Sequence, residues 1–226
     1  MTSHCEQASR VSIKAVLFDL DGTLADTAPD LVAALNMSLA ELGYPQVSQE
    51  AMRHIASDGS MALAKAALPE ASEEVHLKAQ HLLLKFYTDV NGQFCRLFAG
   101  IAELLEHLNH QGIPFGIVTN KPARYTRPLI AALGLTPSMK TVISGDSTLY
   151  PKPHTAPMLL AAQQIECQCQ EILYLGDAER DLIAARGSGM LGGVALWGYI
   201  RATDTPENWP SDYHFDSPLD VVKFLR

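Results

Sequence analysis

An apolar run at residues 15–20 is interrupted by two carboxylates two positions apart, in the order Ala15-Val16-Leu17-Phe18-Asp19-Leu20-Asp21-Gly22-Thr23. A short, continuous apolar run of this kind reads as a strand buried on both faces. In extended backbone, residues i and i+2 point the same way, so Asp19 and Asp21 leave the strand end together. Gly22 permits the turn beyond them. Two carboxylates held this close repel unless a cation sits between them. The expected cation is Mg2+, a hard ion that takes oxygen ligands. A carboxylate nucleophile beside a second carboxyl acid/base also suits phosphoryl transfer through an aspartyl-phosphate.

Four further apolar runs read as buried strands, at residues 114–119, 141–144, 172–176 and 193–197. Helical periodicity lies between them, at 101–111, 125–133, 156–165 and 181–186, with Gly112, Gly134 and Gly189 where helices would stop. Strands alternating with helices predict an α/β fold, a Rossmann-like parallel sheet covered on both faces. Residues 28–91 break the alternation: Leu31, Leu35, Leu39 and Leu42 open a stretch with helical spacing and no convincing strand. The expected organisation is an α/β core from 1–27 and 92–226, with a small helical cap domain, 28–91, inserted over the strand ends as a lid.

Parallel sheets bind ligands at the carboxyl ends of their strands. Asp19 and Asp21 follow the first strand, Thr119-Asn120-Lys121 the second, and Gly176-Asp177 the fourth, with Lys152 after the third and Asp181 four residues beyond Asp177. Each has a chemical part to play. Asp19 is the expected nucleophile on phosphorus. Asp21 would protonate the leaving alkoxide and then activate water. Thr119, with Asn120 beside it and nearby backbone N–H groups, would hold phosphoryl oxygens. Lys152 adds compact positive charge. Asp177 would complete a metal shell, and Asp181 would support that shell or orient Lys152.

The remaining features narrow the field. The formal net charge is −8 and no Lys/Arg run occurs, which disfavours nucleic acid and anionic membranes as partners; no protein partner is inferable. Residues 1–14 are polar, without the apolar stretch of a secretory leader, and no run reaches membrane-spanning length. Four scattered cysteines suit a reduced, cytoplasmic setting. Cys167 and Cys169 lack a second Cys/His pair at zinc-binding spacing and read as plain thiols near a helix–strand junction. His107 and His110 read as exposed helix surface, and Gly192-Gly193 as a turn into the fifth strand.

Over nearly its whole length the chain resembles the haloacid-dehalogenase superfamily of phosphatases, through Asp19-Leu20-Asp21-Gly22-Thr23, Val118-Thr119-Asn120-Lys121-Pro122, Lys152-Pro153 and Gly176-Asp177-x-x-x-Asp181. The subgroup it looks most like is the phosphoglycolate phosphatases. That resemblance implies Mg2+ dependence, with Asp19, Asp177 and the Asp21 main-chain carbonyl as ligands. A narrower similarity, to N-acetylmuramic acid 6-phosphate phosphatases, runs through Leu97-Phe98-Ala99-Gly100 and the tail Gly198-Tyr199-Ile200 with Pro206-Glu207-Asn208-Trp209. The substrate it implies is a small phosphorylated metabolite, N-acetylmuramic acid 6-phosphate or 2-phosphoglycolate. Arg53, Ser57 and Gly59 in the helical insertion are the candidates for gripping it. The chain departs from the pattern at His154-Thr155, where an acidic residue is usual. Three alternatives share parts of this chemistry. A sugar phosphomutase has the same fold. A haloacid dehalogenase needs neither the second Asp nor a metal. A phospho-accepting receiver is about half this length and lacks the insertion.

Overall fold

The computed structural model describes residues 12–226; most of the polar N-terminal stretch, with Cys5, lies outside the described residues. Strand β1 (Ala15–Phe18) is followed by a tight loop and a two-residue strand β2 (Ala25–Asp26). Four helices come next: α1 (Ala28–Glu41), α2 (Gln49–Arg53), α3 (Ser60–Ala67) and α4 (Glu73–Val90). The chain returns through β3 (Arg96–Leu97), which pairs antiparallel with β2. The rest alternates: α5 (Ile101–Gln111), β4 (Phe115–Val118), α6 (Ala123–Ala132), β5 (Thr141–Ile143), α7 (Ala156–Ile165), β6 (Ile172–Gly176), α8 (Glu179–Ser188), β7 (Leu191–Ala195), β8 (Tyr213–Phe215) and α9 (Pro218–Phe224).

The six long-range strands form one parallel sheet in the order β5-β4-β1-β6-β7-β8. β1 is central, and all four of its residues are fully buried, which is why it reads as an unbroken apolar run. Succession reverses direction at β1: β4 and β5 extend one way, β6 to β8 the other. Such a switch point opens a crevice beyond the strand ends. One core, with Phe18, Leu104, Phe115 and Leu175, lies under α5, α6 and α9. A second, with Leu17, Val118, Met158 and Tyr174, lies under α7 and α8. Burying a side chain such as Phe18 contributes about 1.5–3 kcal/mol.

The inserted helices carry their own core, with Leu35, Leu39, Leu63, Leu83 and Tyr87 at its centre. α1 and α4 supply most of it, and the N-terminus of α4 is capped by Ser72, whose hydroxyl accepts from Val75 N. Asp30 is fully buried on α1 and pairs with no cation among the described residues; its two oxygens accept from Gly92 N at 2.8 Å and Phe94 N at 2.7 Å. It ties the start of the insertion to its end.

Some expectations are corrected. Gly192 and Gly193 lie inside β7, paired with Tyr174 and Leu175, rather than in a turn before it. Gly193 gives its neighbours room there: a Cβ would meet Leu175 Cδ2 at 2.7 Å and Phe215 Cε2 at 2.8 Å, so these side chains would have to shift. β8 is an additional strand, too short to show a period. His107 is half-buried rather than exposed, whereas His110 is exposed as expected, 3.6 Å from Glu106. Cys95, Cys167 and Cys169 are free thiols, the last two half-buried between α7 and β6. No helix among the described residues is long and apolar enough to cross a membrane.

Replacing Asp30 by Ala leaves two backbone N–H groups without their acceptor. A loss of about 2–4 kcal/mol of unfolding free energy is expected, read by denaturant titration. A change under about 0.5 kcal/mol would show that the tie carries little.

Candidate active site

The carboxyl ends of β1, β4 and β6 meet at the crevice, and each delivers a polar group. Asp19 follows β1 and is 3% exposed; its backbone N–H continues the sheet by donating to Leu175 O at 2.8 Å. Thr119 follows β4 in the same way, donating to Ile143 O at 2.9 Å, and its Oγ1 accepts from Lys121 N at 3.2 Å. Asp177 follows β6. Lys152, in the loop after β5, reaches across beneath them. Its Nζ lies 3.0 Å from Asp19 Oδ1, 2.8 Å from Asp181 Oδ1 and 2.6 Å from the Tyr174 hydroxyl. Burial pushes the ammonium pKa down, but Asp181 and then Asp19 outweigh it and hold the group above its usual value, so Lys152 stays charged. The Lys152 backbone is fixed by Asn120, whose side-chain amide donates to Lys152 O at 2.8 Å and accepts from Lys152 N at 2.9 Å. His154 leaves this pairing intact: its ring accepts from Ala156 N at 3.1 Å and lies against Tyr150.

Asp19, Asp177 and Asp181 are all buried and offer oxygens within 4.8 Å of one another. Burial, then the charges of Asp19 and Asp181, push the Asp177 carboxyl up from 3.8 to about 7. The crowding is negative charge without enough positive charge, and the donors are all oxygen, which fits a hard divalent cation such as Mg2+. Both oxygens of Asp181 are already engaged, by Lys152 and by Ala178 N at 3.1 Å. The Ser57 hydroxyl lies 3.1 Å from Asp177 Oδ2 and 3.3 Å from the Asp21 carbonyl oxygen, so those two acceptors share one small space. Thr23 Oγ1 and Tyr199 N–H also donate to Asp177, at 3.1 and 2.9 Å. Two glycines make this approach possible. A Cβ on Gly22, whose φ is +83°, would meet Asp177 Oδ2 at 2.1 Å, and one on Gly198 would meet Asp177 Cβ at 2.3 Å.

Asp21 points elsewhere. Its Oδ1 accepts from Lys121 Nζ at 2.7 Å and from the Thr27 hydroxyl. The Asp21 carboxylate is therefore neutralised by a lysine rather than sharing a cation with Asp19, a correction to the simplest reading of the Asp-x-Asp pair. Both carboxylates face a cavity of about 540 Å³ between the sheet edge and the inserted helices. Thr119, Asn120, Ser57 and Gly59 line it as well. Arg53 does not. Its guanidinium binds Asp26 at 2.6 Å and stacks over Tyr199 and Phe98, which makes it a tie between the insertion and the ribbon at its base. Sequence reasoning missed Lys121, Arg124 and Arg180 on the cavity wall, and Tyr174 and Tyr199 behind it. The Thr119-Asn120-Lys121 run already carried Lys121, and the tail motif carried Tyr199; no signal marks Tyr174 within its strand.

The pattern of the haloacid dehalogenase-like hydrolases matches residues 16–192. The chain belongs to this family. A phosphoglycolate phosphatase of Xanthomonas campestris pv. campestris is 38% identical over 205 residues, 91% of this chain and 93% of that one. An N-acetylmuramic acid 6-phosphate phosphatase of Pseudomonas aeruginosa is 35% identical over 218 residues, 96% of each. A crystal structure from Haemophilus somnus, described as a predicted phosphoglycolate phosphatase, superposes with a TM-score of 0.83 at 27% identity, covering 95% of this chain and 98% of that one.

For this haloacid dehalogenase-like hydrolase, the raised Asp177 carboxyl has a measurable consequence. Its folded pKa of about 7 exceeds its ordinary 3.8. The stability it contributes is present below about pH 4 and lost as pH rises through about 7. A divalent cation favours the ionised form, so the rise in Tm on adding Mg2+ should grow from pH 5.5 to pH 8, and Asp177→Asn should abolish most of it. A Mg2+ effect independent of both pH and Asp177 would refute the assignment.

Proposed function

We propose that this protein is a Mg2+-dependent phosphomonoesterase that works through an aspartyl-phosphate on Asp19, with N-acetylmuramic acid 6-phosphate as its substrate. The observation that carries the chemistry is the convergence of Asp19, Asp21, Thr119 and the Lys152 ammonium on one crevice at the switch point of the sheet. The family and its phosphatase relatives support the reaction class. The helices at 28–91 act as the cap over this crevice, and the rest of the chain is the core domain.

Asp19 attacks phosphorus with a carboxylate oxygen, the ester P–O bond breaks, and the alkoxide takes a proton from Asp21. Lys121 and Thr27 both bind Asp21 Oδ1, so Oδ2 is the oxygen left for this exchange. In the second half, ionised Asp21 takes a proton from water as the water oxygen attacks phosphorus; the bond to Asp19 breaks and inorganic phosphate leaves. Thr119 and the backbone N–H groups of its loop hold the equatorial oxygens. Lys152 holds Asp19 in place and stabilises charge that moves onto the phosphoryl group. Asp19, Asp177 and the Asp21 carbonyl would hold Mg2+, which supplies positive charge to the phosphoryl oxygens.

Size and wall chemistry favour the sugar acid over the two-carbon acid. A cavity of about 540 Å³ with Leu31, Leu84, Tyr87 and Tyr125 in its wall has room and apolar surface for a sugar ring, more of both than a two-carbon acid uses. Gln80 and Ser60, hydrogen-bonded to each other at 3.1 Å on that wall, offer polar contacts to ring substituents.

Phosphate release with Mg2+ should show a kcat/KM for N-acetylmuramic acid 6-phosphate at least about tenfold above that for 2-phosphoglycolate, a difference of about 1.4 kcal/mol. The reverse preference would overturn the substrate. Asp19→Asn should lower kcat by about a thousandfold or more. Asp21→Asn should accumulate a phosphorylated protein on rapid quenching, seen as an intact-mass adduct. Full turnover by Asp19→Asn would remove it as nucleophile.

A further inference from the structure

Three cationic side chains line the cavity, and two are already committed. Lys121 is 2.7 Å from Asp21, and Arg180 is 3.6 Å from Asp58 while donating to Ser57 O at 2.8 Å. Arg124 has no carboxylate partner among the described residues. It is held instead by an aromatic face, its guanidinium carbon 4.7 Å from the centre of the Tyr125 ring. That ring is itself fixed: Tyr125 is 5% exposed, its hydroxyl donates to Leu84 O at 3.0 Å, and it packs on Tyr87 at 5.2 Å. Arg124 also sits in the first turn of α6, where the helix dipole disfavours a cation. Neither a salt bridge nor helix stability accounts for an arginine at this position.

Its place relative to the reaction is informative. α6 starts at Ala123, four residues beyond Thr119, so the loop that meets the phosphoryl group leads directly to Arg124 at the solvent-exposed rim of the same cavity. A planar, unpaired guanidinium backed by a rigid ring matches a carboxylate in bidentate geometry. We infer that Arg124 selects sugar phosphates that carry a carboxylate on the side of the ring remote from phosphorus, and so separates a sugar acid phosphate from the same sugar phosphate without the acid. The inference rests on the sugar-acid reading of the substrate.

The test compares N-acetylmuramic acid 6-phosphate with N-acetylglucosamine 6-phosphate, which lacks only the lactyl ether. The wild-type enzyme should prefer the acid in kcat/KM. Arg124→Gln should reduce that ratio about tenfold, chiefly through KM, as expected for one charge-assisted contact at a partly exposed site. Arg124→Lys should recover part of it. Arg127→Gln, a change on the same helix outside the cavity lining, should leave the ratio unchanged, and added salt should narrow it in the wild type. A wild-type preference that survives Arg124→Gln overturns the role of Arg124 and leaves the substrate reading standing. Loss of activity in equal proportion on both sugars also overturns it, showing that the residue supports the site as a whole. A wild-type enzyme active on 2-phosphoglycolate and on neither sugar overturns the substrate reading, and this inference with it.

Discussion

The Lys152 ammonium, 3.0 Å from Asp19 and 2.8 Å from Asp181 with almost no access to water, is the contact around which the crevice is built. A buried charge of this kind is tolerable only when it is paired and hydrogen-bonded throughout. The fold supplies the partners from four places: β1 brings Asp19, α8 brings Asp181, β6 brings Tyr174, and the loop after β4 brings Asn120 to clamp the backbone. Tyr174 in turn donates to Val118 O at 2.8 Å, which connects the ammonium to the sheet itself. Removing Asp19 or Asp181 leaves the ammonium with less compensating charge in an interior that cannot solvate it.

This explains which parts of the molecule were legible in the sequence. Groups at strand ends announce themselves, because a carboxylate closing an apolar run has few structural reasons to be there. Asp19, Asp177 and Thr119 are of that kind, and so is the alternation that gives five of the six sheet strands. Lys152 was legible only through its neighbours in the pattern, since a lysine between prolines otherwise reads as surface. Tyr174 was hidden because its hydroxyl faces the site from within a strand that would be apolar either way. β8 was hidden because three residues show no period. Arg53 misled because an arginine in a helical insertion is equally suited to a ligand or to a carboxylate, and Asp26 lay too far along the chain for sequence spacing to relate them. The Asp19–Asp21 pair misled in a subtler way: two residues on one side of a strand share a direction only while the strand continues, and this one ends at Phe18.

Negative charge is distributed between two separate arrangements. Asp21 is balanced by Lys121, which also lies 5.0 Å from the centre of the Tyr87 ring on the helical side. Asp19 and Asp181 share Lys152, and their oxygens lie within 4.8 Å of an Asp177 oxygen. The two carboxylates of the loop thus answer to different cations, which is how neighbouring groups of the same type are set to different tasks. The insertion contributes to both arrangements, through Tyr87 in one and Ser57 in the other.

Tyr199 occupies an unusual place between these parts. Its backbone N–H serves Asp177 at 2.9 Å, while its hydroxyl donates to Asp26 at 2.7 Å and accepts from Ala28 N at 2.8 Å, where the inserted helices begin. One residue thus binds the carboxylate cluster with its main chain and the root of the insertion with its side chain. Whatever free energy a cation at Asp177 adds to or removes from the Ala28 contact, that contact returns to the cation's affinity in equal measure. A cation bound beside Asp177 and the Tyr199 contact at Ala28 would then bias one another to the same extent.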